Sequence, residues 1–298
     1  MKAISSLTYV LILISPLLFG MAACDPYSQN DYEEKVVVQA YLVADQRFPE
    51  IKLSLSAPIS EQYDFDRQSI SGANLSIEHI DASGSVLETV RYRMINPGIY
   101  VPIDTLKLVE PLTRYRLKAQ VQGKPEITAT TLVPDRFETV GLNNTRIRYQ
   151  STEQFEIDIT LSSYPGRQNI YVFSIETLDP ENAEFTPFYA DVVDEEDRAD
   201  FYLNSSGIVL EGNYEVDRVR NLLKIKLPWL GIAFYGPNRI TANVIDDAMY
   251  DYIRTRDVQQ GGSSLSPGEI NNVKSNVING TGVFGSYAKS SVIINVDR

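Results

Sequence analysis

Apolar and polar residues alternate through much of the chain. Tyr115, Leu117, Ala119 and Val121 are interleaved with Arg114, Arg116, Lys118 and Gln120. This period of two puts apolar groups on one face and charge on the other, as in a half-buried antiparallel strand. The same period runs through Val36, Val38, Ala40 and Leu42 and through Ile51, Leu53 and Leu55. Gln122-Gly123-Lys124-Pro125 supplies a turn, after which Ile127 and Ala129 resume the alternation, so residues 114–132 read as a hairpin. With strands near 74–80 and 86–94, residues 35–133 hold about seven short strands, the spacing of an immunoglobulin-like sandwich.

A threonine-rich run then gives way to Pro134-Asp135-Arg136, which marks a boundary. The second region, residues 134–298, opens on Phe155, Ile157, Ile159 and Leu161 alternating with Glu156, Asp158 and Thr160. Further strands are predicted at 169–177, 206–211, 221–227 and 239–245, with a last one from Ser291 to Val296. One helix is predicted from Asp246 to Arg256, capped by Asp246 or Asp247, with Met249, Tyr250 and Ile253 on one face. Gln259 to Ser264 reads as a flexible loop. The expected fold is all-β: an N-terminal immunoglobulin-like sandwich, then a second mainly β domain with one helix near the carboxyl end.

The amino terminus carries a different pattern. Lys2 precedes an apolar run from Leu7 to Phe19, broken by Ser15 and Pro16. It is shorter than the roughly 20 residues a membrane-spanning helix needs and has the proportions of a signal-peptide core. Gly20-Met21-Ala22-Ala23-Cys24 follows, and Cys24 is the only cysteine among 298 residues. Small residues directly before a cysteine resemble the lipobox of bacterial lipoproteins, so cleavage after residue 23 and acylation of Cys24 are expected. Residues 24–34 then form a polar, acidic tether.

Charge and residue usage limit the chemistry. Removing residues 1–23 takes away Lys2 alone among the charged side chains, so 27 basic residues become 26 against 39 acidic ones, a balance of −13. Such a chain as a whole repels nucleic acid and anionic membrane. With one cysteine at the anchor and one histidine, His79, cysteine nucleophiles and paired-histidine metal sites are excluded, and no cofactor is expected. His79 shares strand parity with Leu75 and Ile77 and reads as packed rather than catalytic.

Other features are weighed as sites. Asp191, Asp194, Glu195, Glu196, Asp197 and Asp200 supply oxygen ligands for calcium, but the run lacks calcium-loop spacing and Arg198 interrupts it, so it reads as a solvated loop. Asp194 and Glu196 on one loop do not offer the fixed separation that glycosidase acids need. Among 18 tyrosines, Tyr27, Tyr63, Tyr189 and Tyr202 are considered for a sugar platform, whereas Trp229, flanked by Pro228 and Leu230, reads as packed. Asp104-Thr105-Leu106 fits a short bacterial O-glycosylation sequence. Gly280, Gly282 and Gly285 around Val283 and Phe284 predict a tight turn that buries Phe284.

These carboxyl-terminal residues also carry a resemblance. Tyr250-Asp251-Tyr252 followed by Ser275-Asn276-Val277-Ile278-Asn279-Gly280-Thr281-Gly282-Val283-Phe284-Gly285 is similar to the closing signature of Bacteroidota lipoproteins grouped as domain of unknown function 4249. Val36-Val37-Val38, Ser71-Gly72-Ala73-Asn74-Leu75 and Pro97-Gly98-Ile99-Tyr100 extend the likeness forward. Thr281 and the Ser266-Pro267-Gly268-Glu269 insertion depart from that pattern. The resemblance implies an accessory lipoprotein of the outer membrane partnered with a TonB-dependent receptor, with no catalytic residues to transfer.

The leading expectation is a non-catalytic outer-membrane lipoprotein that binds a receptor, a glycan or peptide ligand, or both. A carboxylate-dependent hydrolase and a structural envelope protein are the alternatives.

Overall fold

The computed structural model describes residues 32–58, 60–259 and 273–298. The expected signal segment 1–23, Cys24, most of the expected tether with Tyr27, and the expected loop and insertion within 260–272 lie outside the described residues.

Seven antiparallel strands form the first region: β1 (Val36–Val43), β2 (Ile51–Leu55), β3 (Asn74–Ile80), β4 (Val86–Asn96), β5 (Ile99–Pro102), β6 (Arg114–Gln120) and β7 (Ile127–Leu132). A short helix, α1 (Phe65–Gln68), lies between β2 and β3. The period-two pattern is realised as read: Tyr115, Leu117 and Ala119 of β6 are buried while its charged residues face outward. Hydrogen bonding runs β1-β2-β5-β4-β3-β6-β7. The long strand β4 serves two layers, pairing with β3 from Val86 to Arg91 and with β5 from Tyr92 to Asn96.

The second region contains β8 (Thr139–Leu142), β9 (Arg146–Arg148), β10 (Glu156–Thr160), β11 (Ile170–Thr177), α2 (Pro187–Val192), β12 (Leu203–Ser205), β13 (Val209–Leu210), β14 (Glu215–Asp217), β15 (Leu222–Lys226), β16 (Gly236–Ile245), α3 (Asp247–Gln259) and β17 (Thr281–Asp297). A sheet ordered β14-β15-β10-β8 packs against β11 and β16. The all-β expectation with one helix near the carboxyl end is met.

The 17-residue strand β17 crosses from one region to the other. Its start pairs in parallel with β1, Val37 opposite Thr281 through Val43 opposite Tyr287. Its remainder pairs antiparallel with β16, from Tyr287 opposite Ile245 to Val296 opposite Gly236. Buried side chains of both regions consequently belong to one continuous core, in which Val38, Leu117, Phe173, Ile225 and Phe284 all take part. Just before β17, Ile278 exchanges hydrogen bonds with Thr128 of β7, which closes the first region on itself.

The glycine-rich signature is therefore strand, not a tight turn, and β17 begins ten residues before the predicted Ser291. Phe284 is buried as expected, but from within the sheet. Gly282 has φ +101°, and a Cβ there would overlap the Val38 carbonyl. At Gly285 a Cβ would fall 2.5 Å from Met249 Cγ of α3. Glycine lets β17 lie between β1 and a covering helix at separations that side chains forbid.

Asn276 explains another part of the signature. The Phe284 N–H donates to Asn276 Oδ1 at 3.0 Å, and Asn276 Nδ2 donates to the Phe284 carbonyl at 2.7 Å and to the Thr130 carbonyl at 3.0 Å. Pairing with β16 begins only at Tyr287, so this amide stands in for a strand neighbour.

Gly282→Ala is expected to destabilise the protein by about 3 kcal/mol, since a strained φ and an overlap with backbone combine. Gly84→Ala, with φ +85° but open space around it, is expected to cost roughly 1 kcal/mol. Urea unfolding of the two variants checks the difference, and equal losses would contradict the role given to Gly282.

Candidate functional site

Between the two sheets of the second region lies a cavity of about 530 Å³. Alternation in β11 sends Phe173 and Ile175 into it from one side, and alternation in β15 sends Ile225 from the other. α2 and the turn Trp229–Gly231 complete the walls with Phe188, Tyr189, Val192 and Leu230.

α2 starts with Pro187 at its first position, where the missing N–H costs nothing. Thr186, fully buried, donates its hydroxyl to the Ile232 carbonyl at 2.8 Å, which ties the helix to the Trp229–Gly231 turn. Tyr189 donates its hydroxyl to the Leu230 carbonyl at 2.7 Å, and Asn204 Nδ2 donates to the Tyr189 oxygen. Burial pushes the Tyr189 phenol upward from its ordinary value, so it stays a neutral donor. Tyr189 and Asn204 on the wall are thus engaged with each other. At the mouth, Phe188, Val192 and Leu230 are 43%, 63% and 56% exposed. Apolar walls with exposed apolar residues at the entrance suit an apolar ligand.

The acidic run is an exposed segment in the structure. Asp191, Asp194, Glu195, Glu196, Asp197 and Asp200 are all exposed, and among the described residues no group of three or more acidic, histidine or cysteine side chains converges as metal ligands. Arg198, the residue that breaks the run, anchors it instead. Its guanidinium lies 4.9 and 5.0 Å from the Phe185 and Phe234 rings and donates to the Ala183 carbonyl. This contact fixes the turn Glu195–Phe201 beside α2, with Phe201 on the cavity wall. Asp194 and Glu196 sit on that one exposed segment and do not face each other across a cleft.

The remaining residues of interest do not assemble into a site. His79 is half-buried, with its ring 5.7 Å from that of Tyr115. Trp229 packs on Tyr149 and Phe155. Tyr189 is buried, Tyr202 packs on Phe234, and Tyr63 lies in the other region with its hydroxyl on Ser54, so these tyrosines form no sugar platform. Asp104-Thr105-Leu106 is an exposed turn in which Asp104 Oδ1 accepts the Leu106 N–H. Phe188, Val192, Asn204 and Leu230 escape a sequence reading because an acidic context masks the first two and no periodicity marks the others.

A second unforeseen feature is Asp246, 1% exposed at the end of β16. It caps α3 as expected, accepting the Met249 N–H at 2.8 Å. Its other oxygen accepts from the Thr131 hydroxyl of β7, which stands 2.6 Å from the Ser286 hydroxyl of β17. One carboxyl thereby joins both regions and the helix. Burial, reinforced by neighbouring Asp247, raises its pKa from 3.8 to about 6 against the opposing hydrogen bonds. The folded state therefore takes up a proton more readily than the unfolded chain. Stability from this group is complete below about pH 4 and is lost as pH rises through about 6, with a total of roughly 3 kcal/mol. Asp246→Asn is expected to remove that slope, so its stability relative to the parent rises between about pH 4.5 and pH 7.5. Urea midpoints at the two pH values check this, and a constant difference would contradict it.

Comparison with known proteins gives the following. The sequence matches the family described as Domain of unknown function (DUF4249) over residues 25–293. No curated protein matches the chain by sequence. Among solved structures, trypsin-activated alpha-2-macroglobulin from Escherichia coli is similar at 11% identity and TM-score 0.23, covering 72% of this chain and 14% of that one. A DUF4785 family protein from Legionella pneumophila is similar at 10% identity and TM-score 0.26, covering 71% and 52%. A tetra-tandem repeat from the extending region of a large adhesion protein is similar at 8% identity and TM-score 0.22, covering 88% and 49%. The chain thus spans about half or less of the length of these proteins, and likeness at this level carries no functional argument.

Proposed function

The chain belongs to the family of Domain of unknown function DUF4249, and we propose that it is a non-catalytic envelope lipoprotein, anchored through Cys24, that holds an apolar ligand. The observation that carries this reading is the 530 Å³ cavity with its exposed apolar mouth. Its lining is mainly aliphatic and aromatic, with Lys226, Ser205, Ser206, Asn204 and two tyrosines as its polar members and no carboxylate, thiol or imidazole beside them to act as a base, so its walls suit binding. The lipobox-like Ala22-Ala23-Cys24 supports the anchor. We extend the proposal to an outer-membrane place beside a TonB-dependent receptor, the expectation drawn from the sequence resemblance, with ligand delivery to that receptor as the task.

Two experiments test the reading. Mass spectrometry of the mature protein is expected to find Cys24 first and acylated, and an unmodified thiol or another start would remove the anchor. In solution, 1-anilinonaphthalene-8-sulfonate is expected to bind with one-to-one stoichiometry. Val192→Asp and Leu230→Asp place charge at the mouth and are expected to weaken binding roughly tenfold or more without lowering the unfolding temperature. Unchanged affinity in both variants would dismiss the cavity as the site.

A further inference from the structure

The net charge of −12 conceals an uneven distribution. On the layer formed by the first half of β4 with β3, β6 and β7, cross-strand neighbours share a face. One row on its outer side runs Arg91, Ser76, Lys118, Thr128, and the next runs Thr89, Glu78, Arg116, Thr130. Arg114 extends the β6 column, and Arg93 follows Arg91 where β4 turns toward the other layer. Five cations thus meet two anions, Glu78 and Glu126. Glu78 is held by Arg116 at 2.6 Å, and Lys118 lies 3.3 Å from Glu126. Arg91, Arg93 and Arg114 are exposed and have no carboxylate partner among the described residues. The acidic run 191–200 lies in the other region.

We infer that this cationic face docks on phosphate-bearing lipid headgroups of the membrane that carries the anchor. Arginines interleaved with the hydroxyls of Ser76, Thr89, Thr128 and Thr130 present donors suited to phosphate oxygens. The cations are spread over adjacent strands of one sheet face, an arrangement that fits an extended anionic plane. The chain also enters the fold at its rim: Glu34 pairs at 2.9 Å with Lys124 in the turn joining β6 to β7. Seven residues, and so eight Cα-to-Cα steps, separate Cys24 from Tyr32, and the tether spans at most about 29 Å. That last argument rests on the anchor proposed above, whereas the charge argument does not.

The test uses the full chain carrying Cys24→Ser, which has no acyl group, sedimented with vesicles of phosphatidylcholine alone or mixed equally with phosphatidylglycerol. The apolar run 7–19 contributes alike to both. A preference for the anionic vesicles is expected, lost in about 0.5 M salt and reduced about fivefold by each of Arg91→Gln and Arg93→Gln. Arg218→Gln, an exposed arginine of the other region, is expected to leave it unchanged, and thermal unfolding confirms that all variants fold. Equal partition between the two vesicle types overturns the inference, as does an equal loss in the Arg218 variant. Arg91-dependent capture by polyglutamate without vesicle preference also overturns it, in favour of an acidic protein. Because the Cys24→Ser chain carries no lipid, a native chain found unacylated at Cys24 defeats the anchor alone.

Discussion

Parallel pairing of the first described strand with the last is the interaction on which the remaining structure depends. β1 and the start of β17 are more than 230 residues apart in sequence yet match over seven residue pairs. A parallel pair cannot be joined by a hairpin, so the intervening chain must traverse both regions before returning. Once β17 is in place, its far half is already aligned to receive β16, and β16 in turn carries β11. The second region is thereby built outward from a strand whose first half belongs to the other. The shared core follows directly.

This arrangement places the cavity. β11 is three positions from β1 in the sheet order, β11-β16-β17-β1, and its inward residues Phe173 and Ile175 form one wall. Short edge strands, a two-turn helix and an acidic segment pinned by Arg198 supply the other walls and the entrance. Such pieces contribute little regular hydrogen bonding, whereas β11 supplies the cavity with a wall that is a full sheet strand. Asp246 sits at the junction of the same elements, where β16 ends, α3 begins and β17 passes β7. Its raised pKa shows what a polar crossing costs inside an otherwise apolar joint.

Most strands with one solvent-facing side were legible from alternation, including β6, β10 and β11. The start of β17 was not. Val283 to Ser286 are buried without interruption, because the core covers one face and α3 the other. Burial on both faces erases the period of two, and Gly280, Gly282 and Gly285 in and just before this run read as a turn. Strands of two to four residues such as β5, β9, β12 and β13 are too short for any periodicity to register. The cavity fared worse, since its polar groups are scattered over α2, β12 and a turn that only the fold brings together. Composition concealed the cationic face in the same way, since cross-strand register gathers Arg91, Arg93, Arg114, Arg116 and Lys118 from two strands.

The cations of one sheet layer and the acids of 191–200 belong to different regions, and β17 is the strand that pairs with both regions. Native-state hydrogen exchange, resolved along β17 in increasing denaturant, tests this bridging role most directly. Amides of residues 281–287, beside β1, and of 288–296, beside β16, are predicted to exchange through one opening with the same free energy and denaturant dependence. Two separate openings, with either half exchanging while the other stays protected, would contradict a single spine and leave two domains that merely touch.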